Sequence, residues 1–144
     1  MVRVDVVTAK LSELGKRIAR VRAHTPASAA ALRVDQDALD LVSFNLMLCV
    51  QTALDISSHV IADEGWRPAS TLAEAFERLL ENGVITRPTS SAMARAAGLR
   101  NVVAHGYAGV DVDAVFAAAS RGVSDLEAFA AEVAGWLQLR IPSP

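Results

Sequence analysis

One long segment, apolar on almost every side, limits the folds that this chain can adopt. We predict that Asp35 caps a helix there and that the helix runs to about Ala62. Between Ala38 and Val50 this helix is apolar nearly all round, and such a helix must be buried on more than one side. Two explanations stay open. The helix is either the centre of a bundle, or one of its faces contacts a second subunit.

The other segments of the first two thirds also have helical spacing, and none of them reads as a β-strand. The first segment carries a narrow apolar stripe at alternating spacings of four and three, and it should end before Pro26. Thr71 and Glu74 form a capping box that opens a further helix. Another helix is expected to begin near Thr89 or Ser90 and to lead into the most unusual residues of the chain.

The last third of the chain is predicted to add two helices. Asp111 can cap a short one around residues 112–119. Ser124 and Glu127 have the spacing of a second capping box, which would open a final helix that ends before Pro142. The expected fold class is therefore all-α, a compact bundle of five or six helices.

Size and composition agree with one globular domain over residues 1–144. The chain is 52% apolar and 21% charged, which is a globular composition. With Cys49 as the only cysteine, no disulfide can form within the chain. The start of the sequence lacks the apolar core of a signal peptide, and the run Leu46–Val50 is too short to span a bilayer. We expect a soluble cytoplasmic protein with no membrane contact.

The charge distribution is uneven. The formal net charge of −2 argues against a general nucleic-acid binder. Residues 1–33 nevertheless carry seven positive and two negative side chains, and the rest carries seven and fourteen. The basic first helix is explained either as a surface that contacts phosphates or as an ordinary solvated helix face.

An arginine, a histidine and the only tyrosine of the chain fall within eight residues, as Arg100, His105 and Tyr107. His105 can exchange protons near neutral pH, and Arg100 can offer a planar charged fork to phosphate oxygens. Two copies of this pattern across a two-fold axis would supply an acid, a base and two cations, which favours a symmetric dimer. A 2′-hydroxyl nucleophile would restrict the chemistry to RNA. Alternatively, His105 caps its helix and Arg100 pairs with a surface carboxylate.

A polar stripe on the long helix is the candidate support for this site. Gln51 and Asp55 recur at helical spacing, and Asp55 could hold Arg100 in place. The stripe could equally be a set of satisfied polar groups inside a bundle. Asp55 and His59 have a spacing that metal ligands can use, but no third ligand is evident. We expect no metal and no cofactor.

Three stretches of the chain resemble the HepT-like HEPN ribonucleases, and the resemblance extends over nearly the whole length. They are residues 51–61, residues 76–79 and the run from Gly98 to Tyr107. The resemblance implies an all-helical homodimer whose two motifs meet in a cleft and cleave RNA without metal. It makes Arg100 and His105 the catalytic pair and gives Asn101 the role of orienting the site.

The same resemblance implies a partner and a biological role. In that family an MntA-type nucleotidyltransferase antitoxin adds AMP to the motif tyrosine, which is Tyr107 here. The expected function is that of a metal-independent endoribonuclease toxin in a type VII-like toxin–antitoxin system, acting on tRNA or mRNA. The alternative is a catalytically inactive helical module that binds a nucleotidyltransferase partner or a nucleotide.

Overall fold

The computed structural model describes residues 1–104 and 111–141, with side chains described in the first range up to residue 99. In these residues the chain is helical and forms no β-strand, so the predicted all-α class is confirmed. When the last two helices and the π-helical turn between them are counted as one rod, the described chain has six helical bodies. The elements are α1 (Val4–His24), α2 (Ala29–Arg33), α3 (Gln36–Glu64), α4 (Leu72–Glu81), α5 (Arg87–Ala104), α6 (Val112–Ala117), the π-helical turn (Ala118–Gly122) and α7 (Val123–Gln138).

Helix α3 is the centre of the bundle, and α1, α4, α5 and α7 all pack against it. The Asp35 carboxylate accepts a hydrogen bond from the Ala38 N–H at 3.0 Å, as predicted. The helix ends at Glu64, where Gly65 takes a φ of 71° that glycine adopts at little cost. Among the described helices α3 alone has the length and composition to cross a bilayer. Half of that apolar stretch is buried inside the protein, which is the behaviour of a core helix.

Helix α1 runs antiparallel to α3. At one end the Arg3 N–H donates to Asp63, and further along the Arg17 guanidinium donates to the Asn45 side chain. The helix ends at His24, as predicted. Its apolar stripe is buried against the core, as the spacing predicted. The members of the stripe are Val7, Leu11, Leu14, Ile18 and Val21, of which Leu11 is partly buried.

The predicted capping box of α4 is confirmed only in part, and the cap of α2 was not predicted. The Thr71 hydroxyl accepts from the Glu74 N–H at 3.1 Å, as the capping box predicts, whereas the Glu74 carboxylate binds the N–H of Ser70 and not that of Thr71. Helix α2 was not predicted. The Ser28 hydroxyl caps it by accepting from the Ala31 N–H at 3.0 Å, and the helix is a little over one turn long.

Helix α5 begins at Arg87, two residues before the predicted start at Thr89. The reason is a carboxylate from a distant element. Glu132 of α7 accepts from the Thr86 N–H at 2.6 Å and also from the hydroxyl of Thr89, which satisfies the first turn. Pro88 fits that turn because its missing N–H needs no partner there.

The predicted capping box of Ser124 and Glu127 is wrong. Asp111 does cap α6, accepting from the Ala114 N–H at 3.1 Å, but the chain then continues as a helix through the π-helical turn into α7. Gly122 has right-handed helical angles, and no side chain caps α7. Glu127 is instead bound to a side chain of α1. The element formed by α6, the π-helical turn and α7 is called the C-terminal rod below.

Aromatic pairs close the core between helices. Phe76 of α4 and Phe129 of α7 meet edge to face, with ring centroids 5.8 Å apart. Trp66 and Trp136 form a second such pair at 6.0 Å, and Arg140 lies over the Trp136 ring. Both tryptophans pack against the core.

Candidate functional site

The residues of the Arg-x4-His-x-Tyr pattern lie at the end of α5 and beyond it. The backbone of Arg100 and Asn101 belongs to α5. Their side chains, and the whole of His105 and Tyr107, lie outside the described residues. Position 100 follows Met93 by seven residues, so a regular helix brings the two positions to nearly the same face. Met93 is fully buried in the bundle.

The predicted polar stripe exists on the outer side of α3. The Gln51 amide donates to the Asp55 carboxylate at 3.0 Å, and the Lys10 ammonium of α1 lies 4.0 Å from the other carboxylate oxygen. Sequence reasoning missed Lys10, and only its place off the apolar stripe of α1 hinted at an outward role. The support of Arg100 by Asp55 stays a prediction, because the Arg100 side chain lies outside the described residues.

An apolar patch lies on the same outer face of α3, one to three turns before the polar stripe. Phe44 is 54% exposed, and Leu41 and Leu48 are partly exposed. The three residues are spaced by three and four and therefore line up along the helix. We call Leu41, Phe44 and Leu48 the α3 patch. The opposite side of α3 is buried by the other helices. The apolar side chains of α3 therefore form part of the core on one side of the helix and are exposed to solvent in the α3 patch on the other.

Much of the positive charge in the first 33 residues is paired. Arg22 holds Glu127 through both of its terminal nitrogens, one at 2.6 Å, and this hydrogen bonding lowers the pKa of Glu127 and raises that of Arg22. Part of the excess positive charge therefore forms ion pairs that join the N-terminal helices to the rest of the bundle. The paired cations of this region are Lys10, Arg17, Arg22 and Arg33. Phosphate contact by α1 stays a prediction.

The described residues give little support for a cysteine nucleophile or for a metal site. Burial raises the pKa of the Cys49 thiol to about 12, so this group is a poor nucleophile at neutral pH. Within residues 1–104 and 111–141, as far as their side chains are described, no three His, Cys, Asp or Glu residues are grouped to hold a metal ion.

Comparison with known families and curated proteins gives a consistent result. A family model described as Ribonuclease HepT-like matches residues 14–133. The chain is 25% identical to the mRNA nuclease HepT of Shewanella oneidensis over 125 residues, which is 87% of this chain and 93% of that protein. It is 28% identical to the tRNA nuclease HepT of Aphanizomenon flos-aquae over 92 residues, which is 64% of this chain and 63% of that protein.

Solved structures share the fold at low identity. The tri-AMPylated Shewanella oneidensis HEPN toxin, solved in complex with its MNT antitoxin, superposes with a TM-score of 0.83 at 24% identity, covering 91% of this chain and 98% of that one. The cytosolic protein YutE of Bacillus subtilis, of unknown function, gives a TM-score of 0.84 at 12% identity, with 99% and 96% covered. These likenesses establish the arrangement of helices described above.

Proposed function

Because the chain belongs to the family of HepT-like ribonucleases, we propose that it is a metal-independent endoribonuclease whose catalytic residues are Arg100 and His105. The observation that carries the proposal is the family match over residues 14–133, which spans the whole Arg-x4-His-x-Tyr pattern. We further propose that residues 1–144 act as one domain in the cytoplasm, where the RNA substrate is found.

The proposed reaction is a transesterification within the RNA strand. His105 takes the proton of a 2′-hydroxyl, the 2′-oxygen attacks the adjacent phosphorus, and the bond from phosphorus to the 5′-oxygen breaks. The partner subunit's His105 gives a proton to the departing 5′-oxygen. Arg100 binds the phosphate oxygens, whose negative charge grows in the transition state. The products are a 2′,3′-cyclic phosphate and a 5′-hydroxyl.

This chemistry needs a homodimer, and the α3 patch is the proposed contact. One chain supplies a single histidine of the pattern, whereas acid and base act at the same phosphate. The apolar side chains of Leu41, Phe44 and Leu48 gain free energy when a second copy covers them. An isologous contact along α3 uses the same patch from both subunits, as two-fold symmetry requires.

The polar residues around the motif are proposed to orient it. Gln51 already fixes the Asp55 carboxylate, which can then act as a rigid acceptor for a guanidinium. Asn101 follows Arg100 on α5 and is proposed to orient the bound phosphate or the histidine. Neither residue is assigned a proton-transfer step.

Regulation is proposed to act through Tyr107. An MntA-type nucleotidyltransferase antitoxin would transfer AMP to its phenol oxygen, and the chain would then be the toxin of a type VII-like pair. The Shewanella oneidensis HEPN toxin of the same fold is tri-AMPylated and bound to an MNT antitoxin, which supports this proposal. An adenylate two residues from His105 would fill the cleft and compete with RNA phosphate for Arg100.

The test is cleavage of purified tRNA and mRNA by unmodified protein in EDTA. We expect the wild type to cut at least one of these RNA classes and to leave 2′,3′-cyclic phosphate ends. Arg100→Ala and His105→Ala should each lower the rate at least about a hundredfold. Tyr107→Phe should still cleave RNA but should escape inactivation by the antitoxin and ATP. Both RNA classes are included because the relatives include an mRNA nuclease and a tRNA nuclease.

The second candidate is a catalytically inactive module that binds a nucleotidyltransferase or a nucleotide. The net charge of −2 and the pairing of several N-terminal cations favour it, since both weaken attraction for RNA. Folded, dimeric wild type that leaves both RNA classes intact in EDTA, with mass spectrometry showing Tyr107 unmodified, would establish this candidate in place of the ribonuclease.

A further inference from the structure

A groove lies between α3, α5 and the C-terminal rod. Its volume is about 400 Å³, within the range of pockets that bind small ligands. Leu46 and Val50 of α3 form its apolar floor, and Ala96 and Leu99 of α5 form one wall. A single nucleotide has a size that fits such a space, whereas a duplex does not.

Two arginines at the rim of this groove have no side-chain partner among the described residues. Arg95 of α5 and Arg121 of the rod both line the groove, and both are exposed. With the described residues neither forms an ion pair or a side-chain hydrogen bond, in contrast to Arg17 and Arg22 of α1. Asp125, one turn after Arg121, also lines the groove. We call the space between these three side chains and the apolar floor the arginine groove.

The backbone at the rim is unusual. Arg121 belongs to the π-helical turn at Ala118–Gly122, and the groove is lined by the two ends of that turn as well. π-helical turns are rare within helices and occur frequently at functional sites. Here the wider turn carries one of the two groove arginines that pair with no described side chain, which gives a second and independent indication that the groove binds a ligand.

The lining of the groove extends along α5 to the residue before the Arg-x4-His-x-Tyr pattern. Leu99 immediately precedes Arg100 in the sequence. Position 100 lies four residues after Ala96 and therefore one helical turn further along the same side of α5. A molecule in the arginine groove is thus within about one turn of the position from which the arginine of the motif extends.

We propose that the arginine groove binds one nucleotide of the RNA strand, adjacent to the phosphate that is cleaved. Arg95 and Arg121 contact backbone phosphates, the base lies against Leu46 and Val50, and Asp125 accepts hydrogen bonds from N–H groups of the base. This inference rests on the proposed function and makes Asp125 the residue that selects the nucleotide beside the cut.

The chemistry of the groove matches this occupant. Single-stranded RNA exposes base faces, which are flat and apolar, and it carries a negative charge at every phosphate. Arginine binds phosphate with paired N–H groups and also stacks on bases. A carboxylate accepts from the amino or imino groups of a base, and guanine presents two such donors side by side.

The first experiment measures binding of a short fluorescent single-stranded RNA in a His105→Ala background, which keeps the RNA intact. Arg95→Ala with Arg121→Ala should weaken binding about tenfold at low salt. It should also reduce the slope of log K against log salt by about 1.4, since each single-strand phosphate contact contributes about 0.7. Arg87→Ala is the matched control, because Arg87 is an exposed arginine of the same helix outside the groove.

The second experiment maps cleavage positions on RNA of random sequence. Asp125→Asn exchanges an acceptor for a mixed donor and acceptor, so the nucleotide preferred at one position beside the cut should change. Arg87→Ala should reproduce the wild-type map. A preference for guanine in the wild type that Asp125→Asn abolishes would support the assignment most directly.

The outcomes separate this inference from the proposed function. Active wild type whose arginine variants bind RNA like the Arg87 control, with an unchanged Asp125→Asn map, overturns the inference and leaves the ribonuclease in place. Loss of RNA binding in the arginine variants of a protein that never cleaves RNA would show that the groove binds RNA, but it would contradict the ribonuclease and overturn the placement beside a cleaved phosphate. Arginine substitutions that weaken binding of free AMP but not of RNA also overturn the inference.

Discussion

Among the described side chains the Asp55 carboxylate has two partners, and neither is expected to add much to the free energy of unfolding. Gln51 donates at 3.0 Å, the Lys10 ammonium lies 4.0 Å away, and the Asp55 side chain is 44% exposed. An exposed pair of this kind contributes between zero and about 1 kcal/mol. Gln51 holds one carboxylate oxygen in a fixed direction on the outer face of α3, which agrees with the proposed role of Asp55 in positioning Arg100.

We predict that Asp55→Asn lowers kcat/KM for RNA cleavage by about tenfold to a hundredfold, because misplacing a catalytic group is costly. The free energy of unfolding should change by less than about 1 kcal/mol. Asp40→Asn is the matched control, since Asp40 accepts from Gln36 at 2.7 Å in the same helix with the same spacing. Equal activity of the two variants would remove Asp55 from the site.

Among the elements, α1 and α7 are joined by a pair that depends on pH. Arg22 binds Glu127 through both terminal nitrogens and lowers the pKa of that carboxyl. A carboxyl whose folded pKa lies below its unfolded value of about 4.3 stabilises the fold above that value. This contribution is lost as the pH falls through the folded pKa.

We predict that Glu127→Gln makes stability less dependent on acid. On going from neutral pH to about pH 3, the free energy of unfolding should fall less in the variant than in the wild type. Chemical denaturation at both pH values measures this difference. Arg22→Ala removes the same interaction from the other side and should give the same reduced dependence, whereas parallel pH profiles for all three proteins would contradict the role of this pair.

The start of α5 depends on a residue of another element. Glu132 of α7 accepts from the Thr86 N–H and the Thr89 hydroxyl, so Glu132→Ala should lower the free energy of unfolding by about 1–2 kcal/mol. Denaturant unfolding checks this value. Glu77→Ala is the control, because the ion pair of Glu77 with Arg87 of α5, at 3.8 Å, is exposed and its loss should cost less than about 0.5 kcal/mol.

For the whole molecule, the property to test is the proposed association of two chains through the α3 patch. We predict that Phe44→Glu converts the dimer to a monomer in analytical ultracentrifugation and abolishes RNA cleavage, because a charge cannot be buried in an apolar contact without a partner. Val34→Glu is the control. Val34 is 86% exposed and lies outside the patch, so its variant should remain dimeric and active. A wild type that sediments as a monomer, or an active monomeric Phe44→Glu, would exclude the shared cleft.

The boundaries of several elements were available from neighbouring residues alone. Asp35 before an apolar run, Thr71 three residues before Glu74, and Asp111 before a short helix all cap as predicted. Each cap joins residues three apart, so both partners lie within one short stretch of the sequence. The Arg-x4-His-x-Tyr pattern also lies within eight neighbouring residues, and together with residues 51–61 and 76–79 it carries the resemblance to the family.

Contacts between distant residues were decided by tertiary structure. Glu127 looked like a capping residue in the sequence, but packing of α7 against α1 brings it to Arg22, and the helix then needs no new start at Ser124. Glu132 likewise lets α5 begin at Arg87, two residues nearer the N-terminus than the predicted start.

By itself, then, the sequence determined the all-helical class, the burial of α3 on more than one side and the identity of the catalytic candidates. Periodicity and capping are local properties of the chain, and so they can be read from neighbours. Packing alone decided that Lys10 meets Asp55, that the C-terminal rod is continuous, and that Arg95 and Arg121 share one groove. These contacts join residues far apart in the chain, and they depend on the angles and distances at which the helices pack against one another.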